Sequence, residues 1–195
     1  MEYKIITPKK FNKKEKKLFI YISKYSPVKI FGGITGEKWT EQIIINHRNL
    51  GEAAQFKNHN IYLDFNQPID YIWICICHEL AHMILREKIK WNKSKEARKA
   101  FRVLADFHTP KMKNNFRYAF EQTMAIFLQA ACEERIRRRP LEWSEWQKTF
   151  EAMDVEKLGK IIWESFCEFL SDKNRGKKYR IWLKKTLIYA VRTLT

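Results

Sequence analysis

Residues 71–82 read Tyr71-Ile72-Trp73-Ile74-Cys75-Ile76-Cys77-His78-Glu79-Leu80-Ala81-His82. The first seven of these residues are apolar, so a helix built from them is apolar on every side, and such a helix is normally central and fully buried. Pro68 precedes the stretch and is favoured at the first helical position, with Asn66 or Gln67 as a possible cap. The sequence therefore predicts a central helix from about Pro68 to about Glu87, with polar side chains in its second half.

The second half of this helix carries the pattern H-E-x-x-H in residues 78–82. Positions i and i+4 of a helix point the same way, so both imidazoles can reach one metal ion. Glu79 lies about 100° round the helix from His78, close enough to hold a water molecule without being a ligand. The motif predicts a zinc ion bound by His78 and His82, with Glu79 as the general base. The alternative is a pair of hydrogen-bonded core histidines with Glu79 in a salt bridge.

A hydrolytic zinc site needs a third protein ligand and an open fourth position. Glu121 is the first choice, because it lies in the apolar seam of a predicted helix over residues 115–139 and a buried carboxylate there needs a cation. The alternative for Glu121 is a buried bridge to an arginine such as Arg117 or Arg98. The other candidates for the third ligand are His108, Asp106, Glu133 and Glu134.

A residue that stabilises the transition state is expected near the metal. Tyr118 and His108 are the nearest candidates in the sequence, and neither is preferred over the other. Glu133 and Glu134 adjoin a run of arginines and are expected to form ion pairs on a solvated face.

The remaining patterns predict an α+β fold. An amphipathic helix over residues 11–25 precedes a small, mostly antiparallel sheet, in which the last two strands form a hairpin. Further helices are expected over 100–107 and 115–139, and two or three more after Pro140. The predicted organisation is a core over residues 1–139 and a basic helical extension over 140–195 that packs on it. The four predicted strands cover residues 28–31, 42–46, 51–56 and 61–65.

Residues 51–85 resemble a known group of enzymes. The motif His78 to His82, the Gly-led segment that starts at Gly51 and the I-x-L strand at Ile61 are similar to the zincin metallopeptidases, in particular the minimal gluzincin type. The stretch also resembles the SprT-like and the ImmA/IrrE-type peptidases. The resemblance implies a zincin-like fold, His78 and His82 as ligands, and Glu79 as base. It also implies that strand 61–65 borders the cleft, where a peptide substrate adds as a further strand.

One departure from those subfamilies concerns the segment after the motif. SprT-like and related families often have a third histidine shortly after the motif, whereas residues 88–94 here contain none. This difference favours Glu121 as the third ligand. The chain beyond Pro140 resembles no family.

The net charge is +16 over 195 residues, and basic runs occur at 135–139 and 173–180. An excess of Lys and Arg attracts nucleic acid, anionic surfaces or acidic partners, and tryptophans and tyrosines near these runs could stack on bases. The alternative is that the charges form solvated faces and the aromatics form core. No stretch is long and apolar enough to span a bilayer, and four cysteines without a C-x-x-C pair read as reduced core residues. The expected location is therefore the cytoplasm.

The leading functional hypothesis is a zinc-dependent metallopeptidase that hydrolyses a protein or peptide. The alternative is a nucleic-acid-associated binding module with a structural or weakly active metal core, and the two are compatible. A zinc hydrolase acting on a non-protein amide is a third possibility. A nucleobase deaminase fits poorly, because the H-x-E and P-C-x-x-C pattern is absent.

Overall fold

The computed structural model describes residues 3–6, 13–38, 43–47, 54–57, 60–104 and 116–195. Within these ranges the chain forms four short strands and eight α-helices. The strands are β1 (Tyr3–Ile6), β2 (Ile43–His47), β3 (Ala54–Lys57) and β4 (Asn60–Leu63). The helices are α1 (Lys13–Lys24), α2 (Pro27–Thr35), α3 (Ile69–Met83), α4 (Lys95–Val103), α5 (Phe116–Arg137), α6 (Trp143–Ala152), α7 (Glu156–Ser171) and α8 (Arg175–Leu194).

The strands form one sheet in the order β1-β2-β4-β3. Strand β2 pairs with β1 and β4 in parallel, and only β3 and β4 are antiparallel. The predicted hairpin is confirmed, with Ala54 opposite Leu63 and Lys57 opposite Asn60. The predicted α+β fold with a mostly antiparallel, zincin-like sheet is wrong: the described chain is mostly helical, and two of its three strand pairings are parallel.

The segment after α1 also differs from its prediction. Residues 28–31 were expected to form a strand, but they lie in α2. Ser26 caps this helix by accepting from the Lys29 backbone N–H, and Pro27 occupies its first turn. Val28, Phe31 and Ile34 are buried at helical spacing. A short run of β-branched and aromatic residues fits either structure, and here the capping signals decide for the helix.

Helix α3 is the predicted central helix. It starts directly after Pro68 and continues past Met83 as a π-helical segment, Ile84–Ile89, and a short 3₁₀ turn, Trp91–Lys93. Trp73 and Leu80 are buried, as expected, but Tyr71 is 46% exposed. The helix is therefore buried on most of its surface and open along one side.

The region after Pro140 forms α6, α7 and α8, which confirms the prediction of two or three helices. Helix α8 packs against α2, α4 and α7, and α7 packs against α5. One hydrophobic core contains residues from both sides of Pro140, including Phe127 of α5 and Phe166 of α7, whose ring centroids are 4.5 Å apart. The predicted division at residue 139 thus falls between two helices that share this core.

All four cysteines are unpaired thiols, with Cys77 and Cys132 buried and Cys75 and Cys167 half-buried. None of the helices in the described ranges combines the length and the apolarity needed to cross a bilayer.

Candidate metal centre

The two motif histidines share one face of α3, as their spacing predicts. Their Nε2 atoms are 3.2 Å apart, and the rings meet edge to face with centroids 4.9 Å apart. Two imidazoles bound to one tetrahedral zinc at about 2.0–2.1 Å place their nitrogens about 3.3 Å apart. The observed separation of the two nitrogens is therefore close to the one that two imidazole ligands of a single zinc ion require.

The Nδ1 atom of each histidine contacts an acceptor oxygen on α5. His78 Nδ1 lies 3.0 Å from Gln129 Oε1, and His82 Nδ1 lies 2.9 Å from Glu121 Oε1. Because an amide oxygen and a carboxylate only accept, each Nδ1 carries a proton, and the two Nε2 atoms face each other. Two lone pairs at the observed separation of the Nε2 atoms repel each other unless a metal ion or a proton lies between them.

His78 is held in its neutral form. Burial lowers its pKa to about 3, with the nearby His82 as a second cause and the Gln129 bond as a smaller opposing one. A neutral imidazole is the form that binds zinc. His78 is therefore neutral at neutral pH, which is the form in which an imidazole can bind a metal ion.

Glu121 does not lie where the ligand prediction requires. Its Oε1 contacts His82 Nδ1 at 2.9 Å and accepts from Arg86 Nε at 2.5 Å, while its Oε2 accepts from Trp91 Nε1 at 3.2 Å. Both carboxylate oxygens are therefore used on the side of His82 that faces away from His78. Glu121 therefore contacts the Nδ1 side of the His82 ring and not the space between the two Nε2 atoms.

The electrostatics of Glu121 agree with this position. Burial alone would raise the pKa of its carboxyl group, but the hydrogen bond to His82 and the Arg86 charge lower it below its usual value. Its cation partner is Arg86, neither of the two arginines proposed from the sequence. A buried carboxylate that orients a ligating histidine is a recurrent feature of metal sites.

Among the described residues, no third ligand of the usual type stands beside the two Nε2 atoms, since no three His, Cys, Asp or Glu side chains are grouped there so as to hold a metal ion. The polar group that approaches the pair is the Gln122 amide, whose Nε2 lies 2.8 Å from His78 Nε2 and donates to it. Flipping that amide would bring its oxygen to the same point. Asp106 and His108 fall outside the described residues.

The two histidines open into a cavity of about 890 Å³ between α3, α5 and α6. Glu79 lines this cavity, half-buried, on the same side of α3 as the histidines. Its charge helps to raise the pKa of the Cys75 thiol to about 11, although burial is the larger cause. Glu79 therefore belongs to the wall of the same cleft as the two histidines.

Tyr118, one of the two candidates for a transition-state stabiliser, also lines the cleft. Burial raises the pKa of its phenol, and Glu121 and Glu79 add to the effect while Arg86 opposes it. The phenol thus keeps its proton at neutral pH and can donate a hydrogen bond.

The two remaining acidic candidates for the third ligand, Glu133 and Glu134, face different sides of α5. Glu133 lines the cleft and pairs with Arg137 at 2.7 Å. It is only 8% exposed, so the predicted ion pair exists but Glu133 is not on a solvated face. Glu134 lines a different pocket.

The strand expected to border the cleft does not do so. Strand β4 lies between β2 and β3, with both of its edges paired, and no residue of β4 lines the cavity. A substrate peptide cannot add alongside β4, and that part of the expectation is wrong.

The sequence interpretation missed the two amides of α5. Gln122 and Gln129 lie two helical turns apart, which puts them on one helix face, and both are buried among apolar neighbours. A buried amide pair at this spacing in an apolar helix is a detectable signal for a polar partner across the interface.

No protein-family model, curated protein or solved structure matches this chain.

Proposed function

We propose that this protein is a zinc-dependent hydrolase of the H-E-x-x-H type that cleaves peptide bonds, with His78 and His82 as metal ligands and Glu79 as general base. The observation that carries the proposal is the 3.2 Å separation of the two Nε2 atoms, together with an acceptor from α5 on each Nδ1. This combination points both lone pairs at one position. A hydrogen bond from one ring to the other fits the same distance, so the metal content of the protein distinguishes a metal pair from a hydrogen-bonded core pair.

A bound zinc ion would polarise a substrate carbonyl and lower the pKa of a water molecule to about 7. Glu79 would take a proton from the attacking water and pass it to the leaving amine nitrogen. The water oxygen would bond to the carbonyl carbon, the C–N bond would break, and a carboxylate and an amine would leave. The protonated Tyr118 phenol would donate a hydrogen bond to the carbonyl oxygen as negative charge develops there.

The cleft supports a peptide better than a small compact substrate. From the histidines it extends along α5 to α6, where Trp146, Thr149 and Met153 form its far wall. Its walls also carry charged groups of both signs, among them Arg137 and Glu145. A long groove with mixed apolar and charged walls fits a chain with varied side chains.

The test compares metal content and hydrolysis in three proteins: the wild type, His78→Ala and Glu79→Gln. We expect about one zinc per chain in the wild type and in Glu79→Gln, and a large loss in His78→Ala, by elemental mass spectrometry. On unfolded casein and a quenched peptide library, Glu79→Gln should lose hydrolysis by about 10²–10⁴-fold, because proton transfer is lost.

Glu164→Gln is the matched control, since Glu164 is an exposed residue of α7 outside the cleft. It should keep wild-type activity. Absence of zinc after reconstitution, or full activity in metal-loaded Glu79→Gln, would overturn the proposal.

A second candidate function is binding of nucleic acid by the basic C-terminal region. The observation in its favour is that Arg135, Arg138 and Arg139 meet Arg175 around one pocket, although the two basic runs are far apart in sequence. The aromatics expected to stack on bases do not support it. Trp146 and Tyr179 are buried core residues, and Trp143, Trp163 and Trp182 are half-buried and pack against the core. Any contact would therefore be to phosphates, and binding to a duplex should weaken steeply between about 50 and 200 mM salt. Salt-independent binding, or none at low salt, would exclude this role.

A further inference from the structure

A second cavity, of about 520 Å³, lies between α2, α5, α7 and α8, and it shares no lining residue with the cleft. Basic side chains dominate its wall, and we call it the basic pocket. They come from three helices or their ends: Lys29 in α2, Arg135, Arg138 and Arg139 at the end of α5, and Arg175 at the start of α8. Glu134 is the acidic residue of the lining, so the pocket has a surplus of four positive charges.

The positive charge of the basic pocket is only partly offset within the protein. Arg139 pairs with Glu145 at 2.5 Å, and Arg175 donates to the Leu170 carbonyl oxygen. Within the part of the chain that the structure describes, the side chains of Lys29, Arg135 and Arg138 make no ion pair or hydrogen bond.

Glu134 is a weak counter-charge for these groups. Burial raises the pKa of its carboxyl group, while Arg175 and Arg135 lower it. Several cations held around a concavity repel each other and raise its positive potential, which favours an anion.

The chemistry of the lining indicates which anion fits. Guanidinium groups bind phosphate oxygens through two parallel hydrogen bonds. Four of the five cations of the pocket are arginines, and three of these are at or just after the end of α5. Apolar side chains, Ile30, Ile34 and Leu170, complete the wall. This combination suits a phosphorylated molecule with an apolar or aromatic part.

We propose that the basic pocket binds a compact ligand with two or more phosphate groups, at a site separate from the metal centre. The phosphates can come from a free nucleotide or from the phosphorylated end of a nucleic acid, because both present the same group. The proposal does not depend on the peptidase activity, since the residues that line the basic pocket are not those that line the cleft.

A compact ligand fits better than a continuous strand. A strand needs cations that continue beyond the pocket, along the backbone. Two cations of the basic run in α8 are already paired, Lys178 with Asp172 at 2.6 Å and Arg180 with Glu37 at 2.8 Å, so the run is a poor track for a phosphate backbone. Arg175 is the member of that run that lines the pocket.

Calorimetric titration with pyrophosphate and with ATP tests the proposal on the full chain. We expect saturable binding with one ligand per chain, weakened about 100-fold in the double variant R135Q/R138Q, since each substitution removes a charge-assisted contact. The matched control is K99Q/R102Q, which removes the same charge from exposed positions of α4. The affinity of the control for each ligand should be within about twofold of the wild-type affinity, because salt screens charges that lie far from the pocket.

A 5′-phosphorylated single-stranded oligonucleotide and its unphosphorylated copy separate the two sources. Binding of pyrophosphate or ATP supports a free ligand, and binding of only the phosphorylated oligonucleotide supports a nucleic-acid end, provided that R135Q/R138Q weakens it. No saturable binding of any probe, or equal weakening in both double variants, would overturn the proposal. If R135Q/R138Q does not fold, Lys29→Gln replaces it, because Lys29 is an exposed residue of another helix. We expect about tenfold weaker binding from that single change.

Discussion

Replacing Glu121 tests whether its hydrogen bonds to His82 and its neighbours stabilise the fold around the two histidines. Glu121 is 4% exposed and holds three donors, on His82, Arg86 and Trp91. In Glu121→Ala, the N–H groups of His82 and Trp91 lose their partner, and both residues are buried. Each unsatisfied buried donor costs about 1–3 kcal/mol. The Arg86 side chain is 43% exposed, so water replaces its lost bond and adds nothing to the sum.

We therefore expect Glu121→Ala to lower the free energy of unfolding by about 3 kcal/mol, since removal of the costly buried carboxylate offsets part of the loss. Glu121→Gln has nearly the same size and keeps one acceptor, so it should lose only about 1–1.5 kcal/mol. Urea unfolding of the metal-free proteins at pH 7 measures both values. Glu164→Ala, on the exposed side of α7, is the control and should stay within about 0.5 kcal/mol of the wild type.

The same pair of variants separates the two roles of Glu121 in metal binding. If Glu121 only orients His82, Glu121→Gln should still bind zinc, with an affinity about 10–100-fold lower than that of the wild type in a chelator competition assay. If Glu121 is a direct ligand, the Glu121→Gln variant should lose nearly all of its zinc, because an uncharged amide is a poor zinc ligand. The structural reasoning would be refuted by a Glu121→Ala variant as stable as the wild type, or by a Gln variant as unstable as the Ala variant.

Two further predictions concern acid stability and one glycine. Burial lowers the pKa of His78 to about 3, whereas its unfolded value is about 6.5, so the unfolded chain binds more protons between these two values and the metal-free protein should lose stability as the pH falls from about 6.5. The urea midpoints of the wild type at pH 7 and pH 5 should therefore differ, and the difference should be smaller in His78→Gln. An equal difference in both proteins would contradict the assignment of the effect to His78. Gly36 ends α2 with a φ of 72°, where an added Cβ would collide with the Gly176 carbonyl oxygen, so Gly36→Ala should lower the thermal midpoint through a loss of at least about 2 kcal/mol. Gly33 lies inside α2 with open space around its Cβ position, so Gly33→Ala is the matched control and should gain about 0.5–1 kcal/mol.

The elements that were predicted correctly are those with a strong local signal. Helix α3 has a proline at its start and a long apolar run, and α5 has an apolar seam followed by a proline. The hairpin of β3 and β4 was recognisable because only a short polar segment separates its strands in the sequence. Each of these signals lies within a single stretch of sequence and does not depend on distant partners.

The sheet could not be derived in the same way. Strands β1 and β2 are paired in parallel although Tyr3 and its partner Ile43 are far apart in the sequence, and no local pattern encodes that pairing. The error at residues 28–31 has a related cause, because a short run without periodicity does not distinguish a strand from a buried helix. In that case Ser26 and Pro27 carried the decisive information, and they act through capping rather than through the apolar pattern.

The candidate site likewise has a part that local sequence predicts and a part that depends on another helix. The i, i+4 spacing of His78 and His82 is local and led to the pair of converging nitrogens, whereas the groups that orient them are on another helix. Glu121 and Gln122 are neighbours in sequence, but about 100° of rotation separates them on α5. One contacts the Nδ1 atom of His82, and the other contacts the Nε2 atom of His78.

The requirement that a buried carboxylate has a cationic partner is met by Arg86 as well as by a metal ion, so burial alone does not decide between an orienting residue and a ligand. The rotation of α5 about its own axis decides which of the two neighbours faces the Nε2 atoms of the histidines, and core contacts such as Phe127 against Phe166 help to hold that rotation. Helix α5 packs most extensively against α3, and it also packs against α6 and α7. The parts of the core before and after Pro140 therefore both hold the α5 side chains that surround the two histidines.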